Sequence, residues 1–247
     1  MAGHSKWAQI KRKKAVTDAR RGQLWTRLLK EITVAARLGG GDPDGNARLR
    51  VAVQEARGNN VPAANIERAI KRGTGELEGF SYEEVSYEGY GPGGAAILVE
   101  AVTDNRNRTV AEVRHLFSKH GGNLGENGCV SWMFDKRGYL AFESDSMTEE
   151  AFVELALELD VDDLASEEDG HELFTSPERY LEVREAVAAR GVEPVTGEVA
   201  MLPKNYVDLP EDKVHTVLKL IDALEDLDDV QSVWSNVNIE AVAAGAS

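Results

Sequence analysis

Apolar positions recur with a helical period through the first seventy residues. Leu24, Leu28 and Ile32 are spaced by four, Trp25, Leu29 and Ala36 widen the stripe, and Gly39, Gly40 and Gly41 end it. Thr17 or Asp18 can cap the start of this helix. A second helix is predicted from about Gly45 to Arg57, with Leu49, Ala52, Val53 and Ala56 on one face and Gly58 closing it. A third starts at Pro62, a residue suited to a first turn because it lacks an N–H that would be unpaired there. Ile66, Ala69 and Ile70 form its apolar face and Gly73 ends it. Three amphipathic helices joined by short connections predict a small helical bundle.

The period then changes. Residues 74–94, rich in Gly, Glu and Tyr, read as a linker. Beyond them, strand-like runs at Ala95–Thr103, Gly128–Phe134 and Gly138–Glu143 alternate with helical runs at Asn107–Lys119 and Thr148–Leu159. Asp162–Ser166 and His171–Thr175 form a predicted hairpin around Asp169-Gly170. Helix Pro177–Arg190, strand Glu193–Leu202, helix Pro210–Leu227 and strand Val230–Val237 follow. Residues 138–202 thus read β-α-β-β-α-β, the split βαβ plan. The flanking pieces read the same way if a returning strand near 198–207 joins them. The expected fold class is α+β: an N-terminal three-helix domain, then two ferredoxin-like α/β domains, one inserted into the other. The predicted limits are 1–75 for the helical domain, 76–136 plus 198–247 for the central domain and 137–197 for the insert, with the seam falling near 195–207.

Charge changes the picture. The 247 residues carry a formal net charge of −15, which argues against a polyanion partner. The sign is segregated, however: residues 1–73 hold 16 Lys and Arg against 6 Asp and Glu, and residues 74–247 hold 12 against 37. A basic end on an acidic chain points to nucleic acid at that end, and the acidic remainder restricts where a polyanion can sit. Lys11-Arg12-Lys13-Lys14, with Lys6 before it and Arg20-Arg21 behind it, forms a basic arm around one aromatic residue, Trp7. Each cation can neutralise a phosphate and release condensed counterions. Trp7 either stacks on an unpaired base or packs against the bundle. In the second helix, Asn46, Arg48, Arg50, Gln54 and Arg57 are the nearest approach to a set of base readers.

A second candidate contact is Thr103-Asp104-Asn105-Arg106-Asn107-Arg108-Thr109, at a strand-to-helix junction. Arg106 and Arg108 meet a phosphate at the positive end of the helix, or they pair with Asp104 or Glu112 across a capped turn. Gly89-Tyr90-Gly91-Pro92-Gly93-Gly94 matches G-x-G-x-x-G, but it precedes a strand instead of following one, so it reads as a turn and not as a dinucleotide site. The acidic runs Asp160, Asp162, Asp163 and Glu167, Glu168, Asp169 lack calcium-loop spacing. The five histidines form no i,i+4 pair, and Cys129 is the lone cysteine, which fits a reducing compartment. No nucleophile motif, Walker loop or carboxylate dyad is present. The expectation is a cytoplasmic protein without enzymatic activity, cofactor, metal or small-molecule substrate. No apolar run approaches the roughly 18–20 residues that a bilayer requires.

The motifs resemble the YebC/PmpR family. They are Met1-Ala2-Gly3-His4-Ser5-Lys6-Trp7, Asp18-Ala19-Arg20-Arg21-Gly22, Asn65-Ile66-Glu67-Arg68-Ala69-Ile70, Tyr87-Glu88-Gly89-Tyr90-Gly91-Pro92-Gly93-Gly94, the 103–109 segment, Gly121-Gly122-Asn123-Leu124-Gly125 and Pro203-Lys204-Asn205-Tyr206. The likeness spans nearly the whole chain. It implies three domains and a non-enzymatic role in gene expression. The family carries two labels: DNA-binding transcriptional regulator, and translation factor at the ribosome, the latter borne by relatives in bacteria and mitochondria. Under either label the implied contacts are Lys6, Trp7, Lys11, Arg12, Lys13, Lys14, Arg20, Arg21, Arg106 and Arg108, and the partner is DNA or ribosomal RNA.

Overall fold

The computed structural model describes residues 21–79, 81–167 and 170–239. Among them run helices α1 (Arg21–Gly39), α2 (Ala47–Gly58) and α3 (Ala63–Gly73), then strands β1 (Glu83–Tyr90) and β2 (Ala96–Thr103), helix α4 (Arg106–Lys119) and the short strand β3 (Asn123–Leu124). Next come β4 (Phe134–Glu143), α5 (Glu149–Glu158), β5 (Asp163–Glu167), β6 (Gly170–Thr175), α6 (Tyr180–Ala189) and β7 (Thr196–Pro203). Helix α7 (Glu211–Glu225) and strand β8 (Val230–Ser235) follow. The fold class is α+β, helices followed by two four-stranded antiparallel sheets. The chain divides into two compact units, residues 21–131 with 215–235 and residues 132–214 with 236–239.

In the first unit, α1, α2 and α3 enclose Leu28, Ile32, Leu49, Ala52, Val53, Ala56, Ile66 and Ala69, the residues whose spacing predicts the helices. Asn46 makes the α1–α2 turn. Its Oδ1 accepts from the Leu49 N–H at 3.0 Å, and its Nδ2 donates to the carbonyls of Ala35 at 2.8 Å and Gly40 at 2.9 Å. The cap therefore satisfies orphan groups of two helices at once. Gly73 lets α3 close on α1, since a Cβ there would lie 2.4 Å from the Thr33 carbonyl oxygen.

The sheet of this unit has the order β3-β1-β2-β8. Strand β2 is buried on both faces, which explains its nearly continuous apolar run. Three elements differ from those the sequence predicts. Residues 83–90 are not linker but β1, paired with β2 along its whole length. Residues 128–134 do not form a strand: β3 at 123–124 is the edge, and Ser131–Met133 is a 3-10 turn. The strand near 198–207 does not return to this sheet. Instead, β7 pairs with β4 from Phe134↔Pro203 to Ala141↔Thr196. The Gly89–Gly94 segment ends β1 and turns through Pro92–Gly94 into β2, with Gly93 and Gly94 at φ 76° and 84°.

In the second unit, β4-α5-β5-β6-α6-β7 forms a sheet of order β5-β6-β4-β7, the split βαβ arrangement. Its core is Leu140, Phe142, Phe152, Leu155, Leu173, Tyr180, Val183 and Val187. Phe152 meets Phe142 edge-on at 6.2 Å and stacks on His171 at 4.6 Å.

Candidate nucleic-acid interface

The sequence places its cations in two groups, and the structure treats them differently. Lys6, Trp7, Lys11, Arg12, Lys13, Lys14 and Arg20 lie outside the described residues, and so does the Arg21 side chain, although Arg21 opens α1. Arg106 and Arg108 stand in the first turn of α4, two positions apart and in different circumstances. Asn105 caps this helix, its side chain accepting from the Arg108 N–H at 3.1 Å. Arg106 is exposed and makes no ion pair among the described residues. Arg108 bridges two carboxylates, with Nη2 2.9 Å from Asp104 Oδ1 and 2.6 Å from Asp229 Oδ2. Those bonds, to Asp229 above all, raise its pKa further.

Asp229, just before β8, is the centre of a polar knot that no local motif announces. Its Oδ2 also lies 3.1 Å from the Thr103 hydroxyl and 2.7 Å from the Thr109 hydroxyl. Its Oδ1 accepts from Lys30 Nζ at 2.6 Å. Lys30 is a buried lysine of α1, and it further donates to the carbonyls of Asp228 at 2.8 Å and Val102 at 3.3 Å. All three ammonium protons are thus engaged. Burial pushes the Asp229 carboxyl up, but the bonds from Lys30, Arg108 and Thr109 outweigh it and hold the pKa at about 2. Two further α1 side chains reach the end of α7: Arg27 donates to the Glu225 carbonyl and Gln23 to the Asp226 carbonyl. Helix α1 therefore supplies donors to carbonyls left unpaired at a helix C-terminus, where positive charge is favoured.

Three of the five candidates at the second helix are also committed, while Gln54 and Arg57 are exposed. Asn46 is buried in its cap. Arg48 forms a fork with Glu31, Nε–Oε1 2.6 Å, and with Glu84 on β1, Nη2–Oε1 2.7 Å. Burial lowers the Arg48 pKa, and the bonds to Glu31 and Glu84 raise it by more. Arg50 donates to the Pro43 carbonyl at 3.3 Å. On α3, by contrast, Arg68, Lys71 and Arg72 are exposed and form no ion pair among the described residues.

Glu88 performs a related structural task on β1. This buried carboxylate accepts the backbone N–H groups of Gly128 at 2.7 Å, Val130 at 2.8 Å and Ser131 at 2.7 Å. Burial raises its pKa, and the three N–H bonds outweigh that and leave it lowered. Glu88 thereby orders the loop that carries Cys129, whose thiol is pushed up by burial and by the Glu88 charge.

No group of three or more His, Cys, Asp or Glu side chains among the described residues is placed to hold a metal. No helix among them is long and apolar enough to cross a membrane.

A helical bundle and an antiparallel sheet in one unit, with a second antiparallel sheet in the other, place the chain in the α+β class. Residues 5–76 match the TACO1/YebC protein N-terminal domain, and residues 82–237 match the TACO1/YebC second and third domain. The chain belongs to the TACO1/YebC family. It is 54% identical over 240 residues to a "probable transcriptional regulatory protein" of Syntrophus aciditrophicus, covering 97% of this chain and 96% of that one. It is 55% identical over 239 residues to another so named from Geobacter sulfurreducens, with the same shares of 97% and 96%. A crystal structure of a conserved hypothetical protein from Aquifex aeolicus superposes with a TM-score of 0.82 at 48% identity, covering 90% of this chain and 92% of that one.

Proposed function

We propose that this chain is a non-enzymatic, cytoplasmic, nucleic-acid-binding regulator of gene expression, and that its physiological target is RNA of the ribosome. The observation that carries the reading is the division of labour among the cations. Three of the five polar residues of the second helix that would read base edges in a groove are engaged within the protein, Asn46 on its cap, Arg48 on Glu31 and Glu84 and Arg50 on Pro43, which leaves Gln54 and Arg57 exposed. Exposed cations with no ion pair among the described residues include Arg57 on α2, Arg68, Lys71 and Arg72 on α3 and Arg106 on α4, and the arm from Lys6 to Arg21 adds a basic segment with one aromatic. Such a set suits folded RNA, which offers phosphates and unstacked bases together, better than a duplex read by one helix. The acidic remainder limits where the polyanion can lie. A DNA-binding transcriptional role is the second reading, favoured by the printed name of the relatives.

Sedimentation of a gently prepared extract through sucrose, with and without added salt, decides between them. We expect co-migration with ribosomes at low salt, loss at high salt, and loss in a variant with Lys11, Arg12, Lys13 and Lys14 all changed to Ala. Migration at the top of the gradient in every condition refutes the ribosomal reading.

A further inference from the structure

A cavity of about 300 Å³ opens in the first unit between α1, α3 and the residue that precedes β1. Its lining follows one spacing on both helices. Thr26, Leu29, Lys30 and Thr33 come from α1, and Asn65, Arg68, Ala69 and Arg72 come from α3, each set at i, i+3, i+4 and i+7. That spacing presents a single helix face. Tyr82 completes the wall, with Lys30 Nζ 5.6 Å from its ring centroid.

The cavity has a charge surplus that the surrounding bonds leave intact. The Lys30 charge is matched by Asp229, and its three protons are used. Asp104 and Asp229, the carboxylates whose fields reach Tyr82, are both paired with Arg108. Arg68 and Arg72 are exposed at the mouth with no carboxylate bound to them among the described residues. The Asn65 amide has no hydrogen-bond partner among the described residues, and Thr26 and Thr33 point their protons at the Gly22 and Leu29 carbonyls, which leaves oxygen lone pairs free. Two guanidinium groups, one aromatic wall, one free amide and two acceptor hydroxyls, in a space at the lower end of the small-ligand range, form the complement of a nucleotide. Guanidinium takes phosphate in a fork, and an aromatic ring takes any base by its face.

Resting on the nucleic-acid reading above, we infer that this cavity is a subsite for one unpaired nucleotide of a single-stranded RNA segment, with its phosphate on Arg68 and Arg72 and its base against Tyr82 and Asn65. The site is separate from the basic arm in sequence and distinct from it in kind: the arm neutralises backbone, and the cavity admits a base.

The test is binding of a labelled, unstructured 12-nucleotide RNA and of a duplex DNA of equal length to the full chain, by fluorescence anisotropy across a salt series. Arg68→Ala with Arg72→Ala is expected to weaken RNA binding at least tenfold and to lower the log–log salt slope by about 0.7, the share of the one single-strand phosphate that the two guanidinium groups hold. Tyr82→Ala is expected to weaken RNA binding about five- to a hundredfold with no change of slope, Tyr82→Phe to retain it, and duplex binding to respond to neither. In an NMR titration, 5′-AMP should shift the amide signals of Thr26, Thr33 and Asn65, whereas inorganic phosphate should leave them in place. Thermal unfolding of the doubly substituted arginine variant, changed only at exposed positions, separates lost binding from lost folding. Wild-type RNA affinity in both the arginine and Tyr82 variants, with binding still weakened by the four-residue arm variant, overturns the subsite and leaves the function standing. A wild-type chain that binds no RNA overturns both.

Discussion

The two units of this protein solve different assembly problems, and their interiors differ accordingly. The unit of residues 132–214 closes a split βαβ sheet from one continuous stretch of chain. Its interior is aromatic: Phe142, Phe152 and Tyr139 are fully buried, and its main buried polar pair is the hydrogen bond from Tyr139 to Glu172. The other unit must hold together a helical domain, a sheet begun at residue 83, and a strand that returns after residue 229. Apolar contact is non-directional and does not by itself fix how three such pieces meet. Here the joints are ionic and directional: Lys30 to Asp229, Arg108 to Asp229, Arg48 to Glu31 and Glu84. Charged side chains at these positions are structural cement, and a cation count overstates the binding surface by that much.

The comparison breaks or stands on one matched pair. Asp229→Ala leaves the buried Lys30 ammonium without its counter-charge and should cost about 3–5 kcal/mol. Phe152→Ala empties a fully buried site in the other unit and should cost about the same. The two differ in pH dependence. The Asp229 carboxyl is held at about 2 against an ordinary 3.8, so its contribution is full above about pH 4 and is lost as the pH falls toward 2. The cost of Asp229→Ala, measured by urea unfolding at several pH values, should therefore shrink across that window. The cost of Phe152→Ala should not. Equal pH profiles would mean that the knot at Asp229 acts as packing.

A smaller effect is expected at Glu88. Glu88→Gln presents an amide where three backbone N–H groups converge, so an acceptor is lost and a donor faces a donor. The expected cost is about 1–3 kcal/mol, with faster hydrogen exchange confined to the amides of Gly128, Val130 and Ser131. Exchange unchanged at those three amides would show that the loop is ordered by something other than the carboxylate.

These joints are also what the sequence conceals. The three N-terminal helices are legible because Leu24, Leu28, Ile32 and their counterparts repeat at helical spacing and glycines end each run. The split βαβ sheet is legible for the same reason, being built from contiguous elements. Strand β1 is not, because Glu83-Glu84-Val85-Ser86-Tyr87-Glu88 reads as acidic linker, and the burial of Glu88 depends on a loop 40 residues away. Residues 128–134 mislead in the opposite sense. Val130, Trp132 and Phe134 alternate as a strand would, but Glu88 takes the N–H groups that a neighbouring strand would need. At the candidate site, the 103–109 segment is visible as chemistry. Its partner Asp229, 121 residues beyond Arg108, is one acidic residue among many.

The finest division falls within that segment, between two arginines that sequence treats alike. Arg108→Ala removes the bridge from Asp104 to Asp229 and should lower stability by about 1–3 kcal/mol, since both carboxylates lose a charged donor. Arg106→Ala touches no bond among the described residues and should leave stability within about 0.5 kcal/mol. If Arg106 meets a phosphate, its loss should instead reduce the salt slope of RNA binding by about 0.7 and weaken affinity by a similar factor for every sequence tested, since a phosphate contact carries no base information. Unfolding and binding measured on the same two preparations give four numbers. The expected pattern crosses: Arg108→Ala moves stability more than slope, and Arg106→Ala moves slope alone. Should Arg106→Ala move neither, the first turn of α4 is a brace for the sheet and the RNA contacts belong to the helical domain alone.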